Sequence, residues 1–163
     1  VGTGAGFPGL ALKIAYPELK VTLLDSLQKR IQFLDAVIEK LGLEGIETIH
    51  GRAEDFAKPQ KLRESFDLCV SRAVANLSTL SEYCLPFIHT SGKFISYKSG
   101  EVEDELKDAK KAVFVLGGEI EDVIHVTLPD SDIKRSFVVI HKVHATPKAY
   151  PRKAGTPSKS PLK

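Results

Sequence analysis

The chain contains no methionine, only two cysteines and no acidic residue after position 132. Each absence narrows the choice. Without methionine there is no initiator, and the first residues are already glycine-rich, with no strand ahead of them. The expectation is a fragment that has lost its N-terminal part. Cys69 and Cys84 are too few for a disulfide scaffold, and both lie in apolar stretches. They read as reduced core thiols of a cytoplasmic protein. No run approaches the roughly 18 apolar residues of a membrane span. The start also lacks the basic residues and long apolar stretch of a signal peptide. A length of 163 residues suits one compact domain.

The acids are unevenly placed. Residues 1–132 hold 15 Lys/Arg against all 21 Asp/Glu, a balance of −6, whereas residues 133–163 hold eight Lys/Arg and no acid, a balance of +8. A basic end on an acidic body suggests an anionic partner there, with a solvated tail as the plain alternative.

Apolar runs alternate with helical patterns. Strands are expected at Lys20–Leu24, Ile46–His50, Phe66–Ser71, Gly92–Lys98, Ile120–Leu128 and Ser136–Val143. After the first, Ser26 can cap a helix whose Leu27, Ile31, Leu34, Ile38 and Leu41 form one stripe ending at Gly42. Further helices are expected from about Ser78 to Ile88 and from Glu101 to Leu116. This order predicts a doubly wound α/β sheet, mostly parallel, with a last strand that can pair antiparallel through the loop around Pro129–Lys134. From Thr146, prolines 147, 151, 157 and 161 break any periodicity, so 1–145 reads as the folded domain and 146–163 as an irregular basic tail.

Residues 1–10 read VGTGAGFPGL. Gly2, Gly4 and Gly6 alternate, Gly9 follows, and Pro8 suits the first turn of a helix running to about Tyr16. Such a loop lets backbone approach a ligand, and the helix start adds free N–H groups. Asp25, at the end of the next strand, can accept hydrogen bonds from both ribose hydroxyls. The pattern matches a dinucleotide fingerprint as well as an S-adenosylmethionine loop, so it implies an adenosine-containing cofactor and leaves the two open.

VGTGAGFPGL, LLDSLQKRIQFL, HGRAED, VSRAVANL and TPKAYPRKAGTPSKSPL together resemble the bacterial small-subunit ribosomal RNA methyltransferase G family, also called glucose-inhibited division protein B. The resemblance runs from residue 1 to 163. It implies a class I S-adenosylmethionine-dependent methyltransferase fold and methyl transfer to N7 of a guanosine in 16S rRNA, free or in the small ribosomal subunit. It places Gly2, Gly4, Gly6 and Phe7 in the cofactor loop. Asp25, Ser26 and Leu27 fall at the ribose, Ala53 and Glu54 beside the adenine, and Arg72 after the fourth strand of the family's sheet. Family members also carry an acid just before Val1, a first strand and a helical N-terminal segment, which this sequence does not include.

Guanine N7 has a lone pair and no proton, so methyl transfer to it is an in-line displacement that needs positioning more than a base. No catalytic side chain is assigned. Arg72 is the positioning candidate, and Ser71-Arg72-Ala73 stands where amino-nitrogen methyltransferases carry Asn/Asp-Pro-Pro-aromatic. Candidate RNA contacts are Lys29 and Arg30, which the helix dipole disfavours in a first turn, and the tail's Lys148, Tyr150, Arg152, Lys153, Lys159 and Lys163. Removing 146–163 is expected to weaken RNA binding and spare cofactor binding. The five histidines form no metal set, and no metal is expected. An NAD(P)-dependent oxidoreductase is the rival, though no catalytic Tyr-x-x-x-Lys or comparable set positioned for hydride transfer is found; an inactive RNA-binding fragment is another.

Overall fold

The computed structural model describes residues 1–72 and 74–162. Six strands and their helices follow in the order α1 (Gly9–Ala15), β1 (Val21–Asp25), α2 (Gln28–Leu41), β2 (Ile46–His50), α3 (Ala53–Phe56), β3 (Phe66–Arg72), α4 (Leu77–Cys84), β4 (Ile88–Ser99), α5 (Glu103–Val115), β5 (Gly118–Thr127), β6 (Lys134–Lys142) and α6 (Thr156–Lys159). β1 pairs with β2 in parallel, and β3 with β4 in parallel. β6 lies between β4 and β5 and is antiparallel to both, as the short loop joining β5 to β6 allows. Sandwiched between two strands, β6 buries Val138, Val139 and Ile140 in succession.

The main core lies where α4 and α5 cover this four-stranded part. Leu77, Leu80 and Leu85 meet Phe94, Val113, Val138 and Ile140. α5 starts with Glu103, Asp104 and Glu105, which suit the positive end of the helix dipole. Asn76 caps α4 by accepting a hydrogen bond from the Thr79 N–H. A smaller core joins Leu10 of α1, Leu23 of β1, and Ile31 and Leu34 of α2. The close contact of α1 with β1 requires Gly9, because a Cβ there would stand 2.6 Å from Leu23 Cδ2.

β1 and β3 do not pair. Val1 N donates to the Val70 carbonyl at 3.0 Å, and Gly2 N donates to the Leu24 carbonyl at 2.8 Å. One backbone stretch therefore spans the two strand ends, which sets β1 and β3 two inter-strand spacings apart, about 10 Å. Between them lies a slot of about 410 Å³, lined by Val21, Leu23, Phe66, Leu68 and Val70 among others.

Four expectations are corrected. Ser26 does not cap α2; the Asp25 carboxylate takes the Leu27 N–H, and Leu27 occupies the cap position without a side-chain bond. Leu27 and Leu41, both 52% exposed, lie outside the core that Ile31 and Leu34 join. The helix expected to reach Ile88 stops at Cys84, a single 3₁₀ turn carries Pro86, and β4 begins at Ile88. The tail is not structureless: Thr156–Lys159 forms one helical turn and the segment is docked on the body.

Docking begins at Lys142, which is fully buried. Its ammonium donates to the Leu85 carbonyl at 2.7 Å and to Thr146 Oγ1 at 2.6 Å, and stands 3.5 Å from Glu64 Oε1. Burial pulls its pKa down to about 8, with Glu64 opposing. The unfolded chain thus holds more protons than the folded one between pH 8 and the ordinary lysine value. Wild type is expected to gain stability relative to Lys142→Met as pH rises through that window. Urea unfolding at pH 7 and pH 10 checks it; an unchanged difference would refute the assignment.

Candidate cofactor pocket

The carboxyl ends of β1, β2 and β3 come together on one side, the position at which open parallel sheets bind ligands. There a cavity of about 330 Å³ opens, lined by Gly2, Asp25, Ser26, Ala53 and Glu54 together with Tyr83 and Ser158. Five residues expected from the sequence at the cofactor site are thus gathered from three separate segments. The volume falls within the roughly 300–1,000 Å³ of small-molecule pockets.

Asp25 organises the pocket. It is 2% exposed; Oδ2 accepts the Gly4 N–H at 2.9 Å and Oδ1 accepts the Leu27 N–H at 3.0 Å. One carboxylate thereby ties the glycine loop to the start of α2. The Arg30 guanidinium reaches back to it at 3.3 and 3.5 Å. Burial raises the Asp25 pKa, but the two N–H donors and Arg30 outweigh burial and leave it below the ordinary carboxylate value. Asp25 is therefore an anion at neutral pH, with lone pairs left for hydroxyl donors.

The loop glycines divide their work. Gly2, Gly4 and Gly6 all have positive φ. At Gly2 a Cβ would lie 2.5 Å from Val74 Cγ2, so only glycine lets the loop pass under the pocket. Gly4 presents its N–H to Asp25. Gly6 is buried, and a Cβ there would stand 2.8 Å from Leu10 and 3.0 Å from Leu34, so its role is to pack α1 against α2. Phe7 is half-exposed and lines the neighbouring slot, with the Arg72 guanidinium 5.1 Å from its ring centroid. Gly4, Gly6, Phe7, Leu27 and Arg72 do not line the cavity.

Glu54 is the second buried carboxylate, 3% exposed. Its Oε1 accepts the Gly155 N–H at 2.8 Å, and Oε2 is 3.9 Å from Arg52 Nε. Leu24, Ala53, Val74 and Ala75 supply apolar walls. Two carboxylates beside an apolar slot suit a ligand with a flat ring, hydroxyl groups and N–H donors. Among the described residues, no group of three or more His, Cys, Asp or Glu is placed to hold a metal ion. None of the helices described is long and apolar enough to cross a membrane.

Tyr83 and Ser158, which also line the cavity, carry no local sequence signal. Tyr83 sits in the helix expected from about Ser78 to Ile88, next to Cys84, which read as a core thiol, and Ser158 comes from the tail. The tail also changes the expected RNA set. Arg152 is committed to the fold: Nε and Nη2 grip both oxygens of the fully buried Glu82 at 2.7–3.1 Å, and its own N–H adds a bond at 2.8 Å. Tyr150 packs against the main core. Lys29, Lys148, Lys153 and Lys159 are exposed, and the Arg30 side chain is half-exposed. Lys163 lies outside the described residues. Because Gly155 holds Glu54, removal of 146–163 would reach the pocket, contrary to the expectation that it spares it.

The fold is that of class I methyltransferases. TYW2 of M. jannaschii, in complex with AdoMet, superposes with a TM-score of 0.66 at 13% identity, covering 86% of this chain and 66% of that one. TrmN of Thermus thermophilus gives 0.63 at 17%, covering 86% and 42%. Residues 1–136 match the family of rRNA small subunit methyltransferase G. The ribosomal RNA small subunit methyltransferase G of Clostridium novyi is 53% identical over 162 residues, which cover 99% of this chain and 67% of that protein. That of Acetivibrio thermocellus is 55% identical over 162 residues, covering 99% and 66%. The chain belongs to this family and spans about two thirds of the length of these relatives.

Proposed function

We propose that this chain binds S-adenosylmethionine in the pocket at Asp25 and Glu54 and methylates N7 of a guanosine in 16S rRNA. The carrying observation is that Gly2, Asp25, Ser26, Ala53 and Glu54, distant in sequence, line one cavity in a member of this family. The Asp25 carboxylate accepts from the ribose hydroxyls, with Arg30 yielding its long contacts. Leu24, Ala53 and Val74 flank the adenine, and Glu54 Oε2 faces its amino group. When bound, the cofactor supplies a methyl on a positive sulfonium, and N7 supplies a lone pair. The chain's part is to orient the two, so no general base is needed. Arg72, at the carboxyl end of β3 and standing over Phe7, positions the cofactor carboxylate or an RNA phosphate.

The slot between β1 and β3 has the width and apolar lining for one further strand, the first strand of the methyltransferase domain that residues 1–145 otherwise form. Residues 146–163 act as a basic strap. The substrate, free 16S rRNA or the small subunit, places the work in the cytoplasm. Its phosphates meet Lys29, Arg30, Lys148, Lys153 and Lys159. Changing the three tail lysines to Gln is expected to reduce the slope of log affinity against log salt by about 2, at roughly 0.7–0.9 per phosphate contact.

Transfer of tritiated methyl to hypomethylated 16S rRNA and small subunits, followed by mapping of the labelled base, tests the reaction. Label on a guanine N7 is expected. Binding of NAD in place of S-adenosylhomocysteine, or an RNA left unlabelled by protein that binds S-adenosylhomocysteine, would overturn it.

A further inference from the structure

The turn around α6 is pinned to the body at three points. Gly155 N donates to Glu54 Oε1 at 2.8 Å, the Pro157 carbonyl accepts from Thr79 Oγ1 at 3.2 Å, and the Ser160 carbonyl accepts from Arg152 Nη2 at 2.8 Å. Arg152 is itself fixed by the buried Glu82. The pinned turn sets Ser158 in the lining of the pocket beside Tyr83, although it lies more than a hundred residues from Asp25 and Glu54.

The consequence falls on Glu54. A nearly buried carboxylate needs hydrogen-bond donors to satisfy its oxygens and fix its orientation. Arg52 at 3.9 Å is beyond hydrogen-bonding distance, so the Gly155 N–H is the one donor in bonding range among the described residues. With Oε1 held by the strap, Oε2 is the oxygen left for a ligand N–H.

We propose that residues 155–158 of the strap are part of the cofactor site: Gly155 is a positioning residue that fixes the Glu54 carboxylate toward the purine amino group, and Ser158 closes the outer wall. This rests on the reading of the pocket as a S-adenosylmethionine site. It gives the basic tail a second role, distinct from contact with RNA.

A double-mutant cycle tests it. The affinity of the full-length protein for S-adenosylhomocysteine is measured by calorimetry for wild type, Glu54→Ala, a form lacking residues 155–163, and the combination. Each single change is expected to weaken binding about tenfold, equivalent to about 1.4 kcal/mol. The combination should weaken it by clearly less than the product of the two single effects, because Gly155 acts through Glu54 and only the loss of the Ser158 wall adds to it. Gly155→Ala perturbs the same N–H with the strap in place. Its Cβ meets open space, yet a φ of +84° disfavours any side chain. It should weaken binding several-fold, and it serves if the shortened form does not fold. Affinity within twofold of wild type for Gly155→Ala and the shortened form, or single effects that multiply, would overturn the proposal. A wild type that binds no S-adenosylhomocysteine would overturn the pocket reading with it.

Discussion

Arg152→Ala is expected to cost about 3–5 kcal/mol of folding stability, the loss typical when one partner of a buried ion pair is removed. The reason lies in Glu82. Its side chain is fully buried on α4, and Arg152 supplies three side-chain hydrogen bonds and a backbone N–H to its two oxygens. Without the guanidinium, a carboxylate stays behind with one donor among the described residues. The same change frees the Ser160 carbonyl and so loosens the turn that holds Glu54. Urea unfolding at neutral pH measures the loss. Glu82→Gln in the Arg152→Ala background should recover part of it, because the amide needs no counter-charge. A loss below about 1 kcal/mol, in the range of exposed pairs, would mean that Arg152 is available to RNA after all.

The contrast between Arg152 and its neighbours shows where sequence reasoning reaches its end. Lys148, Arg152, Lys153 and Lys159 are indistinguishable as a basic, proline-broken run. What separates them is the partner, and Glu82 lies 70 residues away on a helix that also carries Ser78, Thr79 and Ser81, so spacing alone does not single it out. Glu64 and Arg63 hold the same tail over similar distances, Arg63 through the carbonyls of Thr146, Pro147 and Tyr150. Prolines remove the periodicity by which a docked segment could be recognised, and backbone carbonyls carry no residue signature. Local signals fared better. Ile46–His50 is a strand with the expected bounds, and Gly42 ends α2 in the left-handed conformation. The antiparallel β6 followed from the missing helix before it. For the pocket, the loop and the acid at the end of β1 were legible because backbone geometry demands them. Tyr83 and Ser158 answer to no such demand and became visible only when the chain was folded.

Asp25→Ala should weaken S-adenosylhomocysteine binding about a hundredfold or more. Hydrogen bonds to a charged acceptor contribute about 1.5–3 kcal/mol each, and two ribose hydroxyls would lose theirs. The loop would suffer as well, since the Gly4 and Leu27 N–H groups both lose their acceptor. Asp25→Asn should fall between, because an amide offers one acceptor oxygen where two N–H groups require two. The protonation of this group sets the pH profile. Its folded pKa is lowered from 3.8, so the carboxylate's contribution is fully present above that value and is lost only as pH falls through the lower folded one. Cofactor affinity attributable to Asp25 should therefore stay level from neutral pH down to about 5. Calorimetric titration of wild type and Asp25→Asn across pH 5–8 isolates that contribution as the difference between them. A difference that shrinks with a midpoint near pH 6 would place a neutral, desolvated acid at the ribose and contradict the donor-rich environment that Gly4, Leu27 and Arg30 create.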